Sequence, residues 1–184
     1  MLLRAGAYVE GKTSKLTRPI HLSAQCRDPA FLLLLLEYGA EFDSVDSTSS
    51  NASHFVAKTA VAPAESLEIL LQCGLRLDSK NEDGWMPLHS VAANGDLREP
   101  SSQEKMRILV RNTSNIDSHD LKGQTALCKA GKRGDSEAVR TLLELGADPR
   151  AVDLSQMRKP LLISRTNFED CVNQIRQAQI AMSM

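Results

Sequence analysis

Aromatic residues are scarce in this chain: they make up 4% of 184 residues, with a single Trp. That scarcity argues against the stacked aromatic platforms on which single-stranded nucleic acid binds. Net charge is also lacking, since 22 basic and 23 acidic side chains leave −1 at pH 7, and no overall electrostatic footprint for nucleic acid results. Long apolar runs are missing; the five leucines at 32–36 are far too few to cross a bilayer. The opening MLLRAGA does not read as a signal peptide, because no long apolar segment leads to a cleavage site.

The motifs of common chemistries are missing as well. The four histidines, His21, His54, His89 and His119, form no HExxH or other metal-ligand spacing. Gly131-Lys132-Arg133-Gly134 lacks the spacing of a phosphate-binding loop; it reads as a turn between two helices with Lys132 and Arg133 facing solvent. The acidic residues are scattered singly, with no pair placed for acid–base work. The four cysteines, Cys26, Cys73, Cys128 and Cys171, lie 47, 55 and 43 residues apart with no CxxC. At such positions Cys acts as a small hydrophobe, and unpaired thiols suit a reducing compartment, the cytoplasm or the nucleus. The expectation is a non-enzyme with no cofactor, no metal, no small-molecule substrate, no nucleic-acid partner and no membrane span.

What the chain does have is a phrase that returns. It is clearest as GWMPLHSVAANGD at 84–96, with copies TRPIHLSAQCRD at 17–28 and GQTALCKAGKRGD at 123–135. His21 and His89 hold one slot, 68 residues apart, and Gly39 and Gly74 close two apolar runs 35 residues apart. A period in the mid-thirties denotes stacked repeats. Each unit reads as two short helices and a turn. Pro19, Pro87 and Pro160 open first helices, where a missing N–H costs nothing. Asp28-Pro29 opens a second helix, and Ser101 with Glu104 has capping-box spacing before another. Ala138, Val139, Leu142 and Leu143 mark a buried helix face. Gly39, Gly74 and Gly146 suit left-handed C-terminal caps. Asn81-Glu82-Asp83-Gly84 and Leu121-Lys122-Gly123 read as turns.

These phased copies resemble the ankyrin-repeat family. The residues that carry the resemblance are Arg18-Pro19-Ile20-His21, Met86-Pro87-Leu88-His89, Thr125-Ala126-Leu127-Cys128 and the endings Gly39-Ala40 and Gly146-Ala147. The implied fold is an all-α solenoid of paired antiparallel helices joined by β-hairpin-like turns. It forms one domain over 1–184: a partial repeat at 1–16, a repeat at 17–46, a degenerate repeat at 47–82, a repeat at 83–123 with an insertion near 97–104, a repeat at 124–153 and a degenerate C-terminal cap at 154–184.

Departures qualify the pattern. The second unit lacks the Pro-Leu-His phrase, and STSSNASHFVAK sets Phe55 in the histidine slot; whether 47–60 forms a helix or loops out stays open. The five or so extra residues of the third unit fall between its helices. The last unit has Lys159-Pro160-Leu161-Leu162 without His, then a polar helix from Val172 to Ala181 that suits a water-facing cap. The N-terminal MLLRAGAYVE reads as the tail of a repeat, either degenerate or cut from a longer array, and the longer array is favoured.

The resemblance implies a protein–protein interaction module, a scaffold or adaptor, working through turn tips and the concave helix face. The alternative is a regulatory ankyrin segment of a larger enzyme, channel or ubiquitin-ligase adaptor. It further implies that His21 and His89 hydrogen-bond locally and to the next turn. Candidate contact residues are Asp46, Lys80, Glu82, Trp85, His119, Leu121, Lys132, Arg133, Leu154 and Met157. Trp85 follows a tip, and Trp is enriched among hot spots, though a bulky residue there also packs across the turn. Residues 105–184 hold 13 basic and 9 acidic side chains, which leaves room for an acidic partner beside the plainer reading of solvated helix surface.

Overall fold

The computed structural model describes residues 5–95, 99–157 and 165–183. Nine α-helices follow one another among them: α1 (Pro19–Ser23), α2 (Ala30–Glu37), α3 (Ala52–Lys58), α4 (Glu65–Gln72), α5 (Pro87–Asn94), α6 (Pro100–Arg111), α7 (Ala126–Arg133), α8 (Ser136–Glu144) and α9 (Arg165–Ala181). The described residues contain no strand, only an antiparallel bridge between Val45 and Asn51. The turns are therefore hairpin-like without forming a sheet.

Local chemistry sets the helix ends. Pro19 and Pro87 stand at the first helical position, as their lack of an N–H favours. Thr125 and Asp135 cap α7 and α8 with side-chain oxygens that accept from the N–H groups of Cys128 and Ala138. Asp28 Oδ1 accepts from the Ala30 N–H at 2.9 Å. At the other end, Gly39, Gly74 and Gly146 take φ of 82°, 90° and 95°. This left-handed step lets the next residue's N–H reach back to Leu35, Leu70 and Leu142 at 2.9–3.0 Å.

Packing then builds two layers. The first helices α1, α3, α5 and α7 lie side by side, each against the next, and α2, α4, α6 and α8 back them. The core runs as a strip through Leu32, Val56, Leu67, Leu70, Leu88, Met106, Leu109, Leu127 and Leu142, all buried. The helix α9 packs on α7 and α8 and closes one end with Phe168, Cys171 and Ile175. Lys105 is also fully buried: its Nζ donates to the carbonyls of Thr59 at 2.5 Å, Ala62 at 2.9 Å and Val56 at 3.4 Å. A cation there satisfies the open C-terminus of α3, so α6 of one unit fastens the loop of the unit before it.

Five sequence expectations are corrected. The stretch 47–60 forms α3, and His54, not Phe55, holds the histidine slot: its Nδ1 accepts from the Asn51 N–H at 3.3 Å. Asn51 caps the helix and Ala52 stands where Pro stands elsewhere. Ser101 and Glu104 form no capping box, because Pro100 already occupies the first helical position; Ser101 Oγ donates to the Ala62 carbonyl instead. Of the insertion expected at 97–104, Pro100 to Glu104 begins α6, which runs to 12 residues. Gly131, Lys132 and Arg133 are the last turn of α7, and only Gly134, at φ 73°, leaves it. The expected polar helix from Val172 starts earlier, at Arg165. The readings of Met1 to Arg4, Leu97-Arg98 and Lys159 to Leu162 lie outside the described residues.

Candidate protein-interaction face

One side-chain geometry is repeated at three successive hairpin tips. Asp46 Oδ1 accepts from the N–H groups of Thr48 and Ser50 at 2.8 and 3.0 Å. Asn81 Oδ1 accepts from those of Asp83 and Trp85 at 3.1 and 2.9 Å. Asp120 Oδ1 accepts from those of Lys122 and Gln124, both at 2.8 Å. Such Asx residues hold tight turns by substituting for backbone acceptors. Neighbouring tips are laced by backbone bonds: Ser47 N–H to Lys15 O at 2.8 Å, Glu82 N–H to Thr48 O at 2.9 Å and Leu121 N–H to Asp83 O at 3.0 Å. The tips thus form a continuous, ordered edge.

Three histidines tie this edge to the helices. In each, Nδ1 accepts from the backbone N–H of the residue that caps its own helix, Arg18, Asn51 or Met86, so Nε2 carries the proton and donates. His21 donates to Ser44 O at 2.9 Å and His54 to Trp85 O at 2.9 Å. His89 donates to Ser118 O at 3.0 Å and Gln124 O at 3.2 Å. Burial lowers the pKa of all three, and that of His89 to about 4 with Lys129 adding to the effect. They are neutral connectors. With both nitrogens of His89 engaged, no base remains for Cys128, whose thiol pKa burial pushes up. The described residues also hold no cluster of three or more His, Cys, Asp or Glu that could bind a metal.

Between tips and inner helices runs a groove of about 440 Å³. Its helix wall carries Phe55, Lys58, Ser90 and Asn94; its tip wall carries Asp46, Thr48, Asn81 and Asp83, and Trp85 joins the two. Beside it, Lys129 Nζ sits 2.6 Å from Asp120 Oδ2 and 3.9 Å from the centre of the Trp85 ring. Burial pushes the Asp120 carboxyl up, but Lys129 and the turn N–H groups outweigh it and hold it below the usual range. This ion pair fixes the indole by a cation–π contact.

The family model for ankyrin repeats matches residues 53–153 in three copies. The chain belongs to the ankyrin-repeat family. Repeats of this family are protein-interaction modules. Among similar proteins, ankyrin repeat and SOCS box protein 2 of Bos taurus is 33% identical over 85 residues, 46% of this chain and 13% of the relative. Protein phosphatase 1 regulatory subunit 12A of Rattus norvegicus is 32% identical over 108 residues, 58% of this chain and 10% of the relative. The B-cell lymphoma 3 protein homolog of Mus musculus is 29% identical over 172 residues, 90% of this chain and 36% of the relative. The matched regions are thus a small part of each relative's length.

Along the ankyrin array, the candidate contact residues have different surroundings. Asp46 and Trp85 line the groove, both half-buried. Glu82, His119 and Leu121 are exposed on the tips, Leu121 at 78%. Lys80 is exposed, and its Nζ donates to the His119 carbonyl at 2.8 Å, bridging two tips. Lys132 and Arg133 are half-buried at the end of α7, and Arg133 donates to the Gly95 carbonyl. Leu154 is half-buried in a short 3-10 turn. Met157 does not extend the edge: it is buried, and its Cε fills the space where a side chain on Gly131 would stand. Sequence reasoning missed Phe55 and Lys58. Their signal was the histidine slot itself, since the positions one and four residues after His54 turn to the groove. The same step after His21 places Leu22 on a separate apolar hollow of about 310 Å³ with Phe31 and Leu34. Among the described residues no helix is long and apolar enough to cross a membrane.

Proposed function

We propose that this chain is a non-catalytic protein-interaction module, part of a scaffold or adaptor, that holds a protein partner in the groove between its turn tips and inner helices. The observation that carries the reading is the groove of Phe55, Lys58, Ser90, Asn94 and Trp85, facing an edge whose backbone is already ordered. A preformed site loses little ordering entropy on binding, and a partly exposed aromatic pair supplies the contact area that hot spots use. Asp46, Lys80, Glu82, His119, Leu121, Lys132, Arg133 and Leu154 flank the partner along the same side. Four free cysteines support residence in a reducing compartment, cytoplasm or nucleus. No cofactor, metal or small-molecule substrate enters this reading.

A second reading, a regulatory ankyrin segment within a larger protein, draws support from the 10–36% of each relative's length that the similarity spans and from one relative's name as a regulatory subunit. The test for the first reading is affinity capture from cell extract with wild type, Phe55→Ala and Trp85→Ala, each checked for folding by circular dichroism. A partner bound through the groove is retained by wild type and weakened by about 2 kcal/mol in a hot-spot variant. A partner held equally by all three chains overturns the groove as the site.

A further inference from the structure

The inner helices carry one sign of charge. Across α1, α3, α5 and α7 there are four Lys or Arg residues, Lys58, Lys129, Lys132 and Arg133, and no Asp or Glu. The outer helices α2, α4, α6 and α8 carry six acidic residues over the same span. Of the four cations, Lys129 is neutralised by Asp120 and Arg133 is held by the Gly95 carbonyl. Among the described residues, Lys58 and Lys132 meet no hydrogen-bond acceptor or acidic partner. They hold the same slot, four residues after His54 and Cys128, two repeats apart; Lys58 lines the groove, and Lys132 stands on α7, beyond the groove's lining. Ser90 and Asn94 of α5, the helix between α3 and α7, line the groove with small neutral groups, and Lys15 adds a second cation to that lining. On the opposite wall, Asp46 accepts three hydrogen bonds from its own turn at Oδ1, which holds that oxygen in the fold while the group keeps its negative charge.

We propose that the groove, together with the inner-helix face that continues past it to Lys132, selects an extended, acidic polypeptide segment, with carboxylates at Lys58 and Lys132 and an apolar side chain against Phe55 and Trp85. The inference rests on the interaction reading above and adds the class of partner. Packed helices lie about 8–10 Å apart, so two steps separate the lysines by roughly 16–20 Å. An extended chain rises about 3.3 Å per residue, which sets the two carboxylates about five or six residues apart. Asp83 on the tip wall disfavours a uniformly anionic polymer such as nucleic acid and favours a segment whose charges are interrupted.

The experiment is selection from a random twelve-residue peptide display library on the full chain, on Phe55→Ala and on a Lys58→Glu, Lys132→Glu double variant. Both lysines are at least partly solvent-accessible, and circular dichroism checks that the double variant stays folded. The expected result is enrichment of Asp and Glu on wild type at that spacing. A synthesised winner, followed by fluorescence anisotropy, should bind at least tenfold more weakly to the double variant and weaken as salt rises. Neutral or basic winners that are lost on Phe55→Ala would overturn the acidic class and leave the interaction reading standing. Winners bound equally by wild type and the double variant would do the same. A library that enriches nothing would count against both. Duplex DNA that displaces the peptide at equal concentration would assign the face to polyanions and overturn the proposal.

Discussion

Replacing Lys105 with Met should weaken the array at one identifiable joint. The ammonium is fully buried and donates to three carbonyls, those of Val56, Thr59 and Ala62. Methionine keeps the volume and removes the donors. Each buried carbonyl left without a partner costs about 1–3 kcal/mol, so three give a loss near 5 kcal/mol. Against this, the substitution relieves the burial of a charge. Burial lowers the Lys105 pKa from 10.5 to about 8, which corresponds to about 3 kcal/mol. The expected net loss at pH 7 is about 2 kcal/mol, read by urea unfolding with circular dichroism and by faster amide exchange at the end of α3. The pH dependence carries a second signature. Because the folded pKa lies below the unfolded one, the unfolded chain binds more protons between pH 8 and 10.5, and wild-type stability gains there as pH rises. The variant lacks that gain. A variant as stable as wild type with unchanged exchange at α3 would refute the reasoning that the lysine fastens the loop.

Three further outcomes are expected. Leu142→Ala, at a fully buried position of α8, should cost about 2–5 kcal/mol in chemical denaturation, and a negligible cost would mean the core strip is misassigned. Gly84→Ala should destabilise by about 1–3 kcal/mol, since φ there is 73° and an added Cβ would meet the Leu121 backbone nitrogen at 2.9 Å; calorimetry against wild type measures it. The His89 pKa falls from 6.5 to about 4 on folding, so its contribution is full above pH 6.5 and is lost as pH drops to 4, about 3 kcal/mol in all; unfolding curves for wild type and His89→Gln across that range should converge.

The legibility of this chain followed the rigidity of its signals. Proline at a helix start and glycine at a left-handed cap each have one conformational meaning, so Pro19, Pro87, Gly39, Gly74 and Gly146 were readable. The slot of His54 was not, because Asn51-Ala52-Ser53-His54 lacks the proline that marks the phrase at Pro19 and Pro87. The physics needs only a small first residue, a capping side chain and an imidazole three positions on, and Asn51-Ala52-Ser53-His54 supplies all three. Spacing alone, 33 residues from His21 and 35 to His89, would have shown it. Ser101 failed for the opposite reason: two competing start signals overlapped, and Pro100 took the first helical position. The candidate edge was half legible. The turns that expose Glu82, His119 and Leu121 follow from local chemistry. Met157 was placed by tertiary packing against Gly131 and Ile175, which no local pattern announces. Lys105 looked like one more solvated helix charge, and only the meeting of two units revealed its acceptors.

The most direct test of the central claim places a photo-crosslinking amino acid at Phe55 in the groove and, separately, at Glu68 on the outer helix α4, in otherwise unchanged full chains exposed to cell extract. A discrete protein adduct is expected from position 55 and none from position 68. An adduct formed only from position 68, or the same adduct from both, would contradict the groove as the working surface.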